Sequence, residues 1–223
     1  MVVHNIQLDK TGFPMIWVEE INAFLHFLPV TKVQFEYYIC DTLEFDESRY
    51  LEVLDNNERI HPRRASINNY WQIFLTNIKP REVERFAEWY GEDYLVPTFD
   101  EWIQAYFVLK SLPASDDLWT NVEMQNLKIP KRPQMILEKI DDITKRMAKI
   151  NNRSLTLADQ MLMRYGVMEW VRIEHHQGEW GGMGQTNSGF RSVMRTPDSR
   201  NPDNPHNIHD RRLFYYGCRL LKR

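Results

Sequence analysis

Two short apolar runs, residues 15–18 and 23–27, flank the acidic pair Glu19 and Glu20 near the start of the chain. Short apolar runs bounded by a polar turn are typical of β-strands. We therefore expect residues 1–35 to be rich in strands. After Leu155 the apolar runs are again short and are separated by glycine, asparagine and aspartate, which predicts further short strands.

The first helix is predicted over residues 32–39. Thr31 precedes it and is a residue type that favours the N-cap, because its hydroxyl can accept from a free backbone N–H of the first turn. Val33, Tyr37 and Phe35 are expected to face the core. The polar and charged residues 41–66 that follow predict a surface loop.

Two further helices have clearer start signals. Pro80 is placed at the first helical position of the segment 80–90, and Gly91 marks its end. Thr98 and Glu101 form a capping-box pattern at the start of the next helix. The residues expected to face the core from these two helices are Val83, Phe86, Ala87, Tyr90, Trp102, Ala105 and Tyr106.

Residues 111–156 differ from the rest of the chain in their pattern of charged, proline and apolar residues. A basic, proline-containing connector at 128–133 precedes an amphipathic helix predicted over 135–150. The apolar positions of that helix recur at three- and four-residue steps, at Ile136, Ile140, Ile143, Met147 and Ile150.

Composition narrows the class of protein. The 223 residues include 43% apolar ones, enough to bury a large core, and the net charge of -3 argues against a dedicated nucleic-acid binder. Cys40 and Cys218 are too few for a disulfide framework and are expected to be small buried apolar residues, although a single bridge between them stays open. The first ten residues do not resemble a signal peptide, and no apolar run is long enough to cross a bilayer. We therefore expect a cytoplasmic protein with no membrane partner.

Four segments of the last third, in order, are similar to the signature of the formylglycine-generating enzyme (sulfatase-modifying factor) family. In the family they read roughly G-N-V-W-E-W, R-G-G-S-W, R-S-A-x-R and G-F-R-L; here they are residues 165–170, 181–182, 191–195 and 217–220. Earlier segments that also resemble the family are 29–35, 79–91, 95–102 and 158–163. The resemblance implies one domain over residues 1–223, with an insertion at about 111–156. The implied fold is α+β, a variant of the C-type lectin fold with a twisted antiparallel sheet, two main helices and much irregular loop.

The chain differs from the family at the positions of the catalytic cysteines and of one calcium ligand. Active members place two cysteines before the second arginine of R-S-A-x-R, and residues 181–195 contain none. Soft thiolates bind Cu(I), so copper-dependent oxidation is not expected here. The family's calcium site uses the asparagine of G-N-x-W-E, which is Gly166 in this chain, so one oxygen ligand is missing. We expect no cofactor and no catalytic residues.

A binding surface remains as the expected functional site. The resemblance places the family's substrate groove at Trp180, Met183, Gln185, Asn187, Phe190, Arg191 and Arg195. Tryptophan, methionine and arginine are enriched at binding interfaces. The two arginines could instead tie loops by paired hydrogen bonds to carboxylates. Trp102 and Trp170, each preceded by glutamate, are interpreted as core anchors, and Glu101 and Glu169 as buried loop ties.

The leading hypothesis is a catalytically silent binding module, bacterial or phage in origin, that recognises a protein or peptide. The first alternative is an iron-dependent oxidoreductase that uses the same groove. Its candidate iron ligands are His206, His209 and Asp210. Glu169 is a separate weak candidate for a metal ligand. The second alternative is a receptor protein diversified by a retroelement, since such proteins share this fold and vary before a similar C-terminal motif.

Overall fold

The computed structural model describes residues 5–42, 47–48, 73–115, 126–150, 152–164, 166–173, 180–186, 189–190 and 216–223. It is an α+β structure, as predicted. The helices are α1 (Lys32–Asp41), α2 (Pro80–Tyr90), α3 (Phe99–Ser111), α4 (Lys131–Ile150) and α5 (Leu157–Gln160). The strands are β1 (Ile6–Leu8), β2 (Pro14–Val18), β3 (Ala23–His26), β4 (Tyr94–Leu95), β5 (Met168–Arg172), β6 (Trp180–Met183), β7 (Gln185–Thr186), β8 (Gly189–Phe190), β9 (Tyr216–Gly217) and β10 (Leu221–Lys222).

The largest sheet joins the two ends of the described chain. Its strand order is β1-β2-β3-β10-β4, and every neighbouring pair is antiparallel. The two apolar runs near the start of the chain form β2 and β3, and a 3₁₀ turn at Glu19–Ile21 connects them, as the pattern predicted. Leu221 of β10 pairs with Leu25 on one side and Leu95 on the other. The last strand therefore closes the gap between the first hairpin and β4.

A second sheet has the order β6-β5-β9 and brings three of the motif segments together. Glu169 of β5 is opposite Met183 of β6 in an antiparallel pair and opposite Gly217 of β9 in a parallel pair. The small hairpin β7-β8 pairs Gln185 with Phe190. These strands confirm that the chain after Leu155 is rich in short strands, although the short helix α5 was not predicted.

Local capping chemistry explains where α1 and α3 begin. The Thr31 hydroxyl accepts from the Gln34 N–H, as predicted for an N-cap. The Gln34 side chain accepts from the Thr31 N–H in return, which completes a capping box that was not predicted. Thr98 and Glu101 make the same reciprocal pair at α3. Tyr37 is a correction: it was expected in the core of α1, but its side chain is 42% exposed.

Helix α2 agrees closely with its prediction. Pro80 is its first residue, and the four apolar side chains predicted for its inner face are all buried. Gly91 ends the helix with φ at +146°, a backbone conformation that disfavours a side chain. The four helices of ten residues or more in the described ranges match the four predicted from the pattern. The family resemblance alone implied two main helices.

The segment 111–156 is held closed at its base. Pro113 and Thr156 form an antiparallel bridge, the Ala114 N–H donates to the Leu155 carbonyl over 3.0 Å, and the Leu157 N–H donates to Leu112 over the same distance. Helix α4 starts four residues earlier than predicted. Its inner face packs into the same apolar cluster as α3 and β3, through Leu137, Ile140 and Ile143.

Candidate functional site

The C-terminal motif residue Arg219 is buried completely and is paired with Glu169 of β5. Its Nε donates to Glu169 Oε2 over 3.0 Å, and its Nη2 donates to Oε1 over 2.9 Å. The remaining guanidinium protons reach three backbone carbonyls, those of His26, Phe27 and Met161, at 2.7–2.8 Å. The arginine therefore ties the end of the chain to β3, to the turn after α5 and to β5.

The two glutamate–tryptophan pairs are structural, as predicted. Trp102 and Trp170 are each 1% exposed. Trp102 Nε1 donates to Glu169 Oε2 over 2.8 Å, and Trp170 Nε1 donates to the Ile78 carbonyl over the same distance. Glu101 accepts from the Thr98 N–H and from Arg223. Because both oxygens of Glu169 are occupied by internal donors, this carboxylate is not free to bind a metal.

Gly166 does not fit the calcium site that the family resemblance implies. A Cβ atom at this position would lie 2.1 Å from the Leu162 carbonyl oxygen, so the local backbone leaves no space for the asparagine of the family motif. Gly166 itself offers no side-chain oxygen, and Glu169 is already paired. Gly166 and Glu169, at the family's calcium-ligand motif, are thus unsuited to bind calcium.

The two cysteines are in different environments, and both are free thiols. Cys218 is buried, and burial raises the pKa of its thiol, which keeps it protonated and unreactive. Cys40 is exposed, so the prediction that both cysteines are buried is wrong for this residue. The thiolate pair on which copper chemistry depends is not formed by these side chains.

The predicted ligand groove is described only in part. Trp180 and Met183, expected on a binding surface, are 1% and 0% exposed, because β6 is covered on both faces. This corrects their placement: they pack in the core. Gln185 and Phe190 are placed through their backbones in β7 and β8. Residues outside the described ranges are Asn187, Arg191, Arg195, His206, His209 and Asp210.

The structure shows an open cleft of about 610 Å³ that none of the predicted groove residues lines. Its walls come from the β1–β2 turn, the second half of α1, the end of α2 and the connector before α4. The lining residues are Leu8, Asp9, Lys10, Thr11, Gly12, Tyr37, Cys40, Asp41, Trp89, Lys128 and Pro130. We refer to this feature as the connector cleft.

Gly12 and Pro130 fix the width of the connector cleft where the turn meets the connector. Gly12 has φ at +85°, and a Cβ atom there would lie 2.4 Å from Pro130 Cγ. Only glycine combines this left-handed backbone with so close an approach. The ion pair between Arg132 and Glu36, 2.6 Å long, holds the start of α4 against α1 on the outside.

A cation–π contact forms the polar end of the connector cleft. Lys10 Nζ lies 3.4 Å from the centre of the Trp89 ring and donates to the Trp89 carbonyl. Trp89 Nε1 in turn donates to Asp41 Oδ2 over 2.8 Å. Burial lowers the pKa of Lys10, while the nearby carboxylates of Asp41 and Asp9 act in the opposite direction.

Asp9 connects the connector cleft to the interior. Its Oδ1 accepts from the Thr11 N–H and hydroxyl at 2.8 and 2.7 Å and from the Phe13 N–H at 3.0 Å. Its Oδ2 accepts from Gln34 Nε2 at 3.0 Å and from the Tyr90 hydroxyl at 3.2 Å. These five donors satisfy both carboxylate oxygens at a 5% exposed position. The tight β1–β2 turn is thereby tied to α1 and α2.

His26 lies behind Asp9 and is neutral. Its Nε2 is 3.3 Å from Asp9 Oδ2, without hydrogen-bond geometry, and its Nδ1 has no hydrogen-bond partner among the described residues. Burial lowers the pKa of His26 to about 4; Asp9 opposes this shift and Arg219 adds to it. The rings of Tyr90 and Tyr94 meet the imidazole edge-on, at 5.5 and 6.2 Å between centroids.

Sequence reasoning did not find the connector cleft. Residues 9–12 form an Asp-Lys-Thr-Gly turn of ordinary composition, and residues 128–133 were identified only as a basic, proline-containing connector. The helical spacing of Tyr37 and Cys40 in α1 was a usable signal, because three-residue spacing puts both on one face. That face was assigned to the core.

No family model, curated protein or solved structure was found to match the chain. Within the described ranges, histidine, cysteine, aspartate and glutamate side chains form no cluster of three suited to a metal ion. None of the helices in the same ranges combines the length and apolar character needed to cross a membrane.

Proposed function

We propose that this chain is a catalytically silent member of the formylglycine-generating-enzyme-like group, with one C-type-lectin-like domain and an insertion at about 111–156, and that it binds a protein or peptide. Support for the fold comes from the motif segments. Those at 29–35 and 95–102 supply capped helix starts, and the segment at 217–220 supplies the buried Arg219. The antiparallel order of the large sheet is also consistent with the implied fold.

The observation that carries the binding function is the connector cleft. It is open to solvent and is lined by two aromatic side chains, Tyr37 and Trp89, and by two lysines, Lys10 and Lys128. Aromatic rings with a polar edge supply contact area at interfaces, and an accessible cleft of this volume accommodates several side chains of a partner. By contrast, the charged groups of Arg219 and Glu169 hydrogen-bond to each other inside the protein.

The test compares two double variants as bait in extracts of the native host. Tyr37→Ser/Lys128→Ser alters the connector cleft at exposed positions. Phe107→Ser/Lys110→Ser is the matched control, since Phe107 is 52% exposed and Lys110 is an exposed lysine on α3. Captured proteins are identified and purified, and their dissociation constants are measured by calorimetry.

We expect the cleft variant to lose roughly tenfold or more in affinity and the control to retain it. Equal affinity of both variants would remove the connector cleft from the proposal. Copper-dependent oxidation of a cysteine peptide by the purified protein would refute the absence of catalysis. Stoichiometric iron in the purified protein would favour the alternative that uses His206, His209 and Asp210.

A further inference from the structure

The carboxylates of the connector cleft are already engaged with the protein. Asp9 accepts five hydrogen bonds, all from residues of the described fold. Asp41 accepts from Trp89 Nε1 and lies near the Lys10 ammonium. A ligand that brought additional cations would have to compete with these donors. The acidic groups of the cleft are therefore poorly placed to select a basic ligand.

The lysines have capacity left. Among the described residues the Lys10 ammonium makes one hydrogen bond, to the Trp89 carbonyl, although it has three protons to donate. Lys128 is exposed and makes no hydrogen bond or ion pair with any described residue. The two lysines and the two aspartates of the lining balance in formal charge. Asp9, however, is buried and accepts five internal hydrogen bonds, whereas the Lys128 ammonium is exposed. A carboxylate in the cleft can gain from both cations.

An apolar surface adjoins these cations. Tyr37 is 42% exposed on α1, and Pro130, which lies close to Gly12, lines the same cleft. Leu8 is a further apolar residue of the lining. An apolar side chain placed here would lose water-exposed area against a ring and a proline, both of which are rigid.

We propose that the connector cleft takes a peptide segment in which an aspartate or glutamate side chain is next to an aromatic or large aliphatic one. This inference rests on the proposed function and adds the chemical class of the partner. The carboxylate contacts Lys128 and Lys10, and the apolar side chain lies against Tyr37 and Pro130. Because the lysine charges are accessible to solvent, affinity decreases as salt is added.

The test uses fluorescein-labelled eight-residue peptides of defined sequence and fluorescence anisotropy. Four peptides share a neutral Gly/Ser background and carry, at the centre, Glu-Phe, Gln-Phe, Lys-Phe or Glu-Ser. A fifth peptide has Phe at a free C-terminal carboxylate, which separates recognition of an acidic side chain from recognition of a chain end. The protein variants are Lys128→Glu and, as the matched charge reversal, Lys149→Glu. Lys149 is an exposed residue of α4, roughly 27 Å along the helix from Lys131.

We expect Glu-Phe to bind roughly fivefold more tightly than each of the other three central pairs and more tightly than the free C-terminus. Lys128→Glu is expected to reverse the order of Glu-Phe and Lys-Phe, whereas Lys149→Glu preserves it. A reversal of preference is a readout that loss of folding cannot produce. Equal binding of Glu-Phe and Gln-Phe to the wild-type protein would overturn the inference.

The outcomes separate this inference from the proposed function. If a host partner is lost on Tyr37→Ser/Lys128→Ser while the five peptides show no preference for Glu-Phe, the binding module stands and the acidic class is wrong. If neither host partner nor peptide depends on the connector cleft, both are wrong. A second copy of the chain is the competing occupant, and light scattering of the wild-type protein that shows a dimer dissociated by Lys128→Glu would also overturn the inference.

Discussion

Replacement of Arg219 by methionine tests whether the C-terminal motif acts as a structural tie. The change keeps most of the side-chain volume and removes the guanidinium, so Glu169 loses both of its bonds to the arginine and retains the one from Trp102. Three carbonyls, those of His26, Phe27 and Met161, lose their arginine donors at the same time.

The expected loss is large because both partners are buried, at 0% and 1% exposure of their side chains. Breaking a buried ion pair by removing one partner typically costs about 3–5 kcal/mol. That is a major part of the roughly 5–15 kcal/mol by which domains are stable. Removing both charges, in Glu169→Leu/Arg219→Met, leaves no isolated charge and is expected to cost less than the two single changes together.

The assay is urea unfolding, followed by far-ultraviolet circular dichroism and tryptophan fluorescence, for the two single variants and the double variant. Arg132→Met is the matched control, since its ion pair with Glu36 is exposed at the arginine and is expected to contribute less than about 1 kcal/mol. The structural interpretation fails if the single losses add to within about 0.5 kcal/mol in the double variant, because contacting charges must couple.

The remaining predictions concern pH, glycine and calcium. In the folded state the pKa of His26 is lowered from 6.5 to about 4. Between these pH values the unfolded chain takes up a proton that the folded chain does not, so the free energy of unfolding decreases as pH falls from 6.5 to 4, by an amount on the order of 3 kcal/mol. His26→Leu should flatten this pH dependence, measured by urea unfolding at several pH values. Gly12→Ala, which brings a Cβ to 2.4 Å from Pro130 at positive φ, is expected to destabilise the fold by about 1–3 kcal/mol. Gly181→Ala, whose Cβ meets only ordinary contacts, should change thermal melting little. Gly166→Asn should lower the melting temperature without creating calcium dependence, and a rise of the melting temperature with added calcium would contradict the misfit of this position.

The helices were predictable because their start signals are local. Thr31 and Thr98 are followed at three residues by Gln34 and Glu101, and each pair closes a capping box that needs no information from the rest of the fold. The burial of Trp102 likewise followed from helical spacing. These features depend on sequence separations of a few residues, which a single sequence displays directly.

The connector cleft was not predictable, since contacts between distant segments create it. The side chain of Lys10 reaches Trp89, seventy-nine positions along the chain, and Gly12 lies against Pro130 of the connector before α4. Tyr37 was misassigned because α1 is flanked by both the core and the cleft, so two of its faces carry apolar residues. Trp180 was assigned to a surface groove because the family resemblance places it there. In the structure its strand is buried along its whole length, so the side chain packs in the core.

Arg219 and Lys128 have different roles in this fold: Arg219 stabilises the interior, and Lys128 is a residue of the proposed binding cleft. Arg219 and Glu169 belong to the motifs that carry the family resemblance, yet every polar group they present is directed inward and used. These residues have a structural role that does not depend on any chemistry, because removal of one partner would leave a buried charge. Lys128 and Tyr37 make no comparable internal bonds among the described residues, and both line the connector cleft. Substitutions at Lys128 and Tyr37 should therefore change binding while leaving the free energy of unfolding within about 0.5 kcal/mol of the wild type. Substitutions at Arg219 should lower the free energy of unfolding and leave binding unchanged in any variant that still folds.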